Sequence, residues 1–293
     1  DRDMIFLGTG ASQLIPNPFC DCRVCRYARQ ANDPREVRRR SALLLDDHTL
    51  IDAGPDVPAA CNAYGKSLTE LKSLFITHMH SDHWDLTTLE NLLMCDTEPP
   101  HVRVYLSTPA LEGLKAWWKA RLEGGMSRVA ASDYSEYQEV LSYTAVEPYE
   151  YGETEDGLRY SAVKTNHKSE FVGETALNYV LERNGRSMLY ACDTGLYCEE
   201  NYEFLTWKKL DILVLEGTFG PLDRPLDIGH MTYRSTEILL DRLSKAGAID
   251  SHTKIYLSHI GHRMTHGECS QWLQERWGEN AAAAYDGLEV PGV

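Results

Sequence analysis

No apolar run in this 293-residue sequence approaches the roughly 20 residues that a membrane-spanning helix needs. No Gly/Ser-rich linker or low-complexity tract divides it, so a single domain over residues 1–293 is expected. The opening residues, Asp1-Arg2-Asp3-Met4-Ile5-Phe6-Leu7-Gly8, have neither a basic leader nor a long apolar stretch. No secretory signal is read from them, although the residues given start at Asp1 rather than at a methionine. Basic charge is also scarce: 29 Lys and Arg stand against 44 Asp and Glu, a formal net charge of −15. Such a surface repels polyanions unless its positive charge is gathered in one place, which argues against a long nucleic acid as partner. Bound divalent cations would invert the sign locally, so a small anionic substrate stays open. The 43% hydrophobic and 25% charged content is ordinary for a globular protein and argues against a long disordered region.

Eight cysteines are too few and too uneven for a disulfide framework in a chain long enough to bury a core. Cys20, Cys22 and Cys25 cluster while the other five are scattered, which suggests a metal site and a reducing, cytoplasmic compartment.

Short strands fill the first half: Met4–Leu7, a hairpin of Ala42–Leu45 and Thr49–Ile51, Ser73–Thr77, and Val102–Leu106. Leu86, Leu89, Leu92 and Leu93 recur at helical spacing, predicting a helix over Asp85–Cys95. Leu111, Leu114, Trp117, Trp118 and Leu122 predict an amphipathic helix ending at Gly124-Gly125. That region, about 110–140, reads as a helical insertion near the site or as an ordinary surface helix. In the second half, strands at Tyr160–Thr165, Ser187–Ala191, Asp211–Leu215 and Lys254–Leu257 lead to His167, Asp193, Glu216 and His259. Helices are expected over Thr232–Ala246 and Cys269–Trp277, and the whole suggests two sheets sandwiched by helices.

Thr77-His78-Met79-His80-Ser81-Asp82-His83 follows an apolar strand directly. An extended turn aims His78 and His80 the same way, while Asp82 and His83 face a second position. Three imidazoles and a carboxylate within six residues suit a borderline divalent cation such as zinc or manganese. His167, Asp193 and His259 supply further donors, each expected in a loop that follows a strand, where a rigid sheet end holds a ligand in position. Each has an ordinary structural reading when taken singly; together they make a two-metal site, and Asp193, with two oxygens, is the natural bridge.

This series, His78-x-His80-x-Asp82-His83 followed by His167, Asp193 and His259, resembles the ligand set of the metallo-β-lactamase superfamily. The resemblance covers nearly the whole chain and implies an αββα sandwich of two mixed sheets, with the metals at one edge. It implies that His78, His80 and His167 hold one ion, that Asp82, His83 and His259 hold the other, and that Asp193 bridges them. Asp52, in Leu50-Ile51-Asp52-Ala53-Gly54, matches an aspartate that supports the ligand loop there.

Cys20-x-Cys22-x2-Cys25 offers three thiolates where tetrahedral zinc needs a fourth ligand. His262, three residues beyond His259, could close the set, and His266 is a weaker candidate. Leu7-Gly8-Thr9-Gly10-Ala11-Ser12, the cysteine triplet, Arg39-Arg40-Ser41 and Tyr285-Asp286-Gly287-Leu288-Glu289-Val290 resemble the PhnP-type phosphoribosyl 1,2-cyclic phosphodiesterases of phosphonate breakdown. In that family a triplet and a late histidine hold a structural zinc. The resemblance implies a dinuclear phosphodiesterase that cleaves a small cyclic phosphodiester with a metal-bridging hydroxide. Asp82 and His230 would be its catalytic residues, His230 protonating the leaving group. Its cofactors would be two divalent ions, zinc or manganese with iron also accepted, besides the structural zinc; its partners would be a small anionic substrate and, as in relatives, a second subunit. Two rivals stay open: a transfer-RNA 3′-processing endonuclease of the same superfamily, and a non-hydrolytic cofactor-biosynthesis protein on the same fold.

Overall fold

Alternation along the strands sorts the apolar side chains onto two faces, and this decides the layers. The computed structural model describes residues 3–123 and 138–293. One seven-stranded sheet has the order β14-β1-β2-β3-β4-β5-β6. Its strands are β1 (Asp3–Gly8), β2 (Ala42–Asp46), β3 (Thr49–Ile51), β4 (Ser73–Phe75), β5 (Val102–Ser107), β6 (Leu141–Val146) and β14 (Glu289–Pro291). The other has the order β13-β12-β11-β10-β9-β8-β7. It is built from β7 (Gly152–Glu153), β8 (Arg159–Lys168), β9 (Thr175–Arg183), β10 (Arg186–Ala191), β11 (Ile212–Gly217), β12 (Lys254–Ile260) and β13 (Ala281–Ala283). Both sheets are mixed: β3 to β6 run parallel, as do β10 to β13, and the remaining neighbours are antiparallel.

Phe6, Leu43, Phe75, Tyr179, Tyr190 and Val214 fill the space between the sheets. The outer face of the first sheet sends Leu44, Leu74, Val104 and Leu106 against Val57 of α2 (Val57–Tyr64) and Leu114 and Trp118 of α4 (Thr108–Glu123). On the outer face of the second, Leu189, Leu213, Leu215 and Leu257 meet Leu239 and Leu243 of α6 (Tyr233–Lys245) and Leu273 of α7 (His266–Trp277). Three apolar interfaces thus hold four layers together, the αββα sandwich that was expected. Each fully buried Leu adds about 1.5–3 kcal/mol. The remaining helices are α1 (Arg23–Gln30), α3 (Leu86–Glu90) and α5 (Glu199–Leu205). No helix among the described residues is long and apolar enough to cross a membrane.

The parallel runs point their carboxyl ends to one edge, where β4, β10, β11 and β12 lead into the polar residues singled out above. Two placements differ from expectation. His167 and His259 lie within β8 and β12 rather than in loops after them. Both strands carry a register shift at that point, between Lys164 and Lys168 and opposite Glu216 and Gly217, so the ladder continues past a locally re-aimed residue. The helix expected over Asp85–Cys95 is shorter, ending at Glu90. α4 packs its apolar face on the first sheet, and residues 124–137, the remainder of the expected insertion, lie outside the described residues.

Candidate metal centre

The metal-ligand series converges because three backbone segments take conformations that most residues avoid. Asp52, Asp193 and His259 all have left-handed φ, at 64°, 55° and 47°. Gly54 lets the ligand loop approach: a Cβ there would stand 2.0 Å from the carbonyl oxygen of Asp82. The loop is tied down from the same side, since Ala53 N–H donates to His83 O at 2.8 Å and Asp85 N–H donates to Ala53 O at 3.0 Å.

Two sets of donor atoms result. His78 Nε2 lies 3.0 Å from His80 Nδ1, and His167 Nε2 lies 3.3 Å from the same atom. On the other side His83 Nε2 is 3.1 Å from Asp82 Oδ2 and 2.8 Å from Asp193 Oδ2, which is itself 3.1 Å from His259 Nε2. Asp193 Oδ1 faces the first set, 3.8 Å from His167 Nε2. All seven ligands inferred from the sequence are therefore brought together, and the carboxylate of Asp193 stands between the two groups.

Four of the five imidazoles are oriented by their other nitrogen. His83 Nδ1 is 2.6 Å from Asp52 Oδ2, His167 Nδ1 is 3.0 Å from Gly229 O, His78 Nδ1 is 3.0 Å from Thr77 Oγ1, and His259 Nδ1 is 2.8 Å from Thr218 Oγ1. Such contacts fix the tautomer and aim the free lone pair, which is how metal-ligating histidines are held. Asp52 earns its place by accepting from Thr77 N–H at 2.8 Å as well as from His83.

The donor set suits a divalent cation. His83 Nε2, Asp193 Oδ2 and His259 Nε2 are buried and form no well-aligned hydrogen bond among the described residues, even though they stand about 3 Å apart. Buried polar atoms left this close together without a hydrogen bond are costly unless a cation sits among them. Electrostatics agree. Burial keeps His78 and His167 below the ordinary imidazole range and so neutral. His83 goes the other way: burial opposes its charge, but Asp82, Asp193 and Asp52 outweigh it and hold it protonated. A cation bound there would replace that proton.

Glu216 was not singled out as a site residue from the sequence. It is fully buried beneath the cluster, accepting from Thr194 N–H at 2.7 Å, from Met231 N–H at 3.1 Å and from His230 Nδ1 at 3.0 Å. Thr232 caps α6, while the His230 ring faces Glu216. Burial disfavours the imidazolium, but the Glu216 carboxylate outweighs it and raises His230 to about 9. Asn166, also missed, clasps three segments: its amide nitrogen donates to Asp227 O and Ile228 O, each at 3.1 Å, and its oxygen accepts from Gly195 N–H at 2.8 Å. A cavity of about 260 Å³ opens over the cluster, bordered by His80, Asp82, His167, Asp193, His230 and His259.

The cysteine triplet forms a second cluster with His262, all four donors lying within 4.8 Å of one another. His262 Nε2 donates to Leu14 O at 2.6 Å, which leaves Nδ1 facing Cys25 Sγ at 3.6 Å and Cys22 Sγ at 3.9 Å. Burial, together with its sulfur neighbours, pushes the Cys25 thiol up to about 11, so that thiol stays protonated at neutral pH without a cation beside it. His266 belongs elsewhere. Its Nδ1 is 3.1 Å from Nη2 of the buried Arg38, which removes it as the fourth ligand.

The description "Beta-lactamase superfamily domain" matches residues 48–260, from the strand before Asp52 through His259. The chain resembles the crystal structure of a new diphosphatase from the PhnP family, with a TM-score of 0.70 and 22% identity over 98% of this chain and 96% of that one. It also resembles Zn(2+)-bound PqqB from Methylobacterium extorquens, with a TM-score of 0.70 and 17% identity over 99% of both chains. At these identities the likeness is one of fold. An octanoyltransferase of Porphyromonas gingivalis (strain ATCC BAA-308 / W83) is 35% identical over 83 residues, which are 27% of this chain; the match spans 16% of that protein's length. With its sandwich fold and its converging histidines and aspartates lying within residues 48–260, the chain belongs to the beta-lactamase superfamily.

Proposed function

We propose that the chain hydrolyses a small cyclic phosphodiester, of the class of phosphoribosyl 1,2-cyclic phosphate, at a two-metal centre. The observation that carries this reading is the protonated His230 set beside the ligand cluster by a buried carboxylate. Breaking a P–O ester bond releases an alkoxide, which is too basic to leave unassisted at neutral pH and needs a proton donor. With Nδ1 committed to Glu216, the proton that His230 gives to the leaving oxygen is the one on Nε2. His78, His80 and His167 would hold one divalent ion and Asp82, His83 and His259 the other, with Asp193 available to both, and such ions would supply Lewis acidity and lower the pKa of water. Asp82 is held ionised, since burial is outweighed by the neighbouring His83. It is therefore a weak base, and its part is to hold its ion and orient the attacking water. The 260 Å³ cavity and the −15 charge both favour a small ester over transfer RNA. Eight unbridged cysteines support a reducing, cytoplasmic setting.

The test is a turnover screen of the zinc- and manganese-loaded chain. Its panel contains 5-phosphoribosyl 1,2-cyclic phosphate, bis(p-nitrophenyl) phosphate, a dinucleoside diphosphate and precursor transfer RNA. The cyclic ester is expected to be cleaved fastest. Preferential cleavage of transfer RNA, or a metal-replete chain inert to every ester, overturns the reading.

The cysteine–histidine cluster we assign to a structural zinc, separate from the catalytic pair. Metal analysis is expected to give three ions per chain at full loading and one, zinc, after dialysis against a chelator. Two ions at full loading would remove the assignment. Cys25→Ser should lose that zinc selectively and lower the unfolding temperature, because metal binding at such a site contributes folding free energy.

A further inference from the structure

The lining of the catalytic cavity also includes Ser12 and Gln13 on one strip and Phe219 and Arg263 on the segments that follow β11 and β12. Arg263 is the one Lys or Arg among the described lining residues. Its guanidinium is exposed and makes no ion pair or side-chain hydrogen bond among the described residues. Of the neighbouring arginines, Arg23 pairs with Glu268 at 2.9 Å, Arg40 with Asp56 at 3.0 Å, and Arg38 donates to Thr9 Oγ1 and Ala284 O, each at 2.7 Å, while Arg224 lies over the Phe219 ring at 5.8 Å and does not line the cavity.

The backbone that carries Arg263 is pinned. Its N–H donates to Gly261 O at 2.9 Å, and its carbonyl accepts from Arg23 Nη2 at 3.2 Å. The facing strip is held too. Ala11 N–H donates to Ile260 O at 3.1 Å, Leu14 N–H closes a turn onto Ala11 O at 2.9 Å, and Leu14 O accepts from His262. His262, next to Arg263 in the chain, thus joins the two strips and anchors both to the cysteine cluster. An unpaired guanidinium on a fixed wall, above a site that handles one phosphate, is a recognition group for a second anion.

We propose that Arg263, with Ser12 and Gln13 across the opening, forms an anion subsite that binds a second phosphate on the phosphodiester substrate, remote from the bond that is cleaved. This rests on the phosphodiesterase reading and adds a specificity element to it. If Arg263 instead served the scissile phosphate, its loss would affect every phosphodiester alike.

The experiment compares 5-phosphoribosyl 1,2-cyclic phosphate with ribosyl 1,2-cyclic phosphate, which lacks the second phosphate. Arg263→Ala should raise KM for the first about 10–100-fold with little change in kcat, the loss expected for a charge-assisted contact. The selectivity between the two substrates falls by the same factor, and Arg263→Lys retains most of it. Equal losses on both substrates, or an unchanged selectivity, overturn the subsite. Calorimetric titration of the metal-loaded chain with ribose 5-phosphate separates the two readings. Arg263-dependent binding without turnover of either ester keeps the subsite and removes the phosphodiesterase. Turnover of both esters with a silent Arg263→Ala keeps the phosphodiesterase and removes the subsite.

Discussion

Asp193→Asn is expected to lower hydrolysis by about 10⁴-fold or more and to strip metal from both halves of the centre together, as loss of a shared ligand should. The geometry sets this size. Asp193 Oδ2 stands 2.8 Å from His83 Nε2 and 3.1 Å from His259 Nε2, while Oδ1 turns towards His167 at 3.8 Å. One carboxylate therefore faces both donor sets, one oxygen towards each. Asparagine keeps the shape and tolerates the left-handed φ of 55°, so the backbone has no reason to move. What it loses is the negative charge and one of two acceptor oxygens. The carboxylate is ionised in the folded chain: burial opposes the charge, but His259 and His83 outweigh it and hold the group far below its usual range. Elemental analysis and turnover, measured on one preparation, check the result. Full metal content with activity within tenfold of wild type would show that Asp193 is not the shared ligand. An even loss of metal accompanied by an unfolded circular dichroism spectrum would point to a structural role instead, and Asp193→Glu then distinguishes the two by restoring charge.

The ligand motif was legible because it is local. Three imidazoles and a carboxylate within six residues leave few alternative readings, and Asp193 follows a strand as expected. Tertiary context hid the rest. Glu216 ends an apolar strand, but an acidic residue at a strand boundary is ordinary in sequence, and Asp211 at the start of the same strand looks no different. Only the fold shows that Glu216 is fully buried and accepts from two backbone N–H groups and from His230. Asn166 acts by clasping loops that are 29 to 62 residues away, which no local pattern records. Ala281–Ala283 has a helical composition, yet it forms β13 because β12 offers it a parallel partner. His167 and His259 were read as loop residues since a strand pattern does not announce its own bulges. The layers were easier, because alternation in β5, β10 and β11 already separates the residues facing the other sheet from those facing helices.

His230→Ala is expected to reduce kcat about 10²–10⁴-fold, the range for loss of a positioned general acid, while leaving metal content unchanged. The pH dependence follows from its partner. An imidazolium donates only while protonated, so activity persists below its pKa and falls as pH rises through it. Burial pulls that value down, and the Glu216 carboxylate more than reverses this, to about 9, above the ordinary 6.5. The donor form is thus retained through neutrality. Glu216→Gln removes the opposing charge and keeps the hydrogen-bonding shape. The alkaline limb of the kcat profile should then move to lower pH, with a smaller loss at pH 6 than at pH 8. Bound cations beside His230 pull its pKa down in both proteins, so the comparison is made at equal metal loading. Leaving-group chemistry gives a second check. A p-nitrophenyl phosphodiester departs as a stable phenolate and needs no proton, so His230→Ala should cost it far less than it costs the cyclic alkyl ester. Loss of metal in step with activity, or an equal loss on both leaving groups, would place His230 among the residues that build the centre and leave the alkoxide without a donor from this chain.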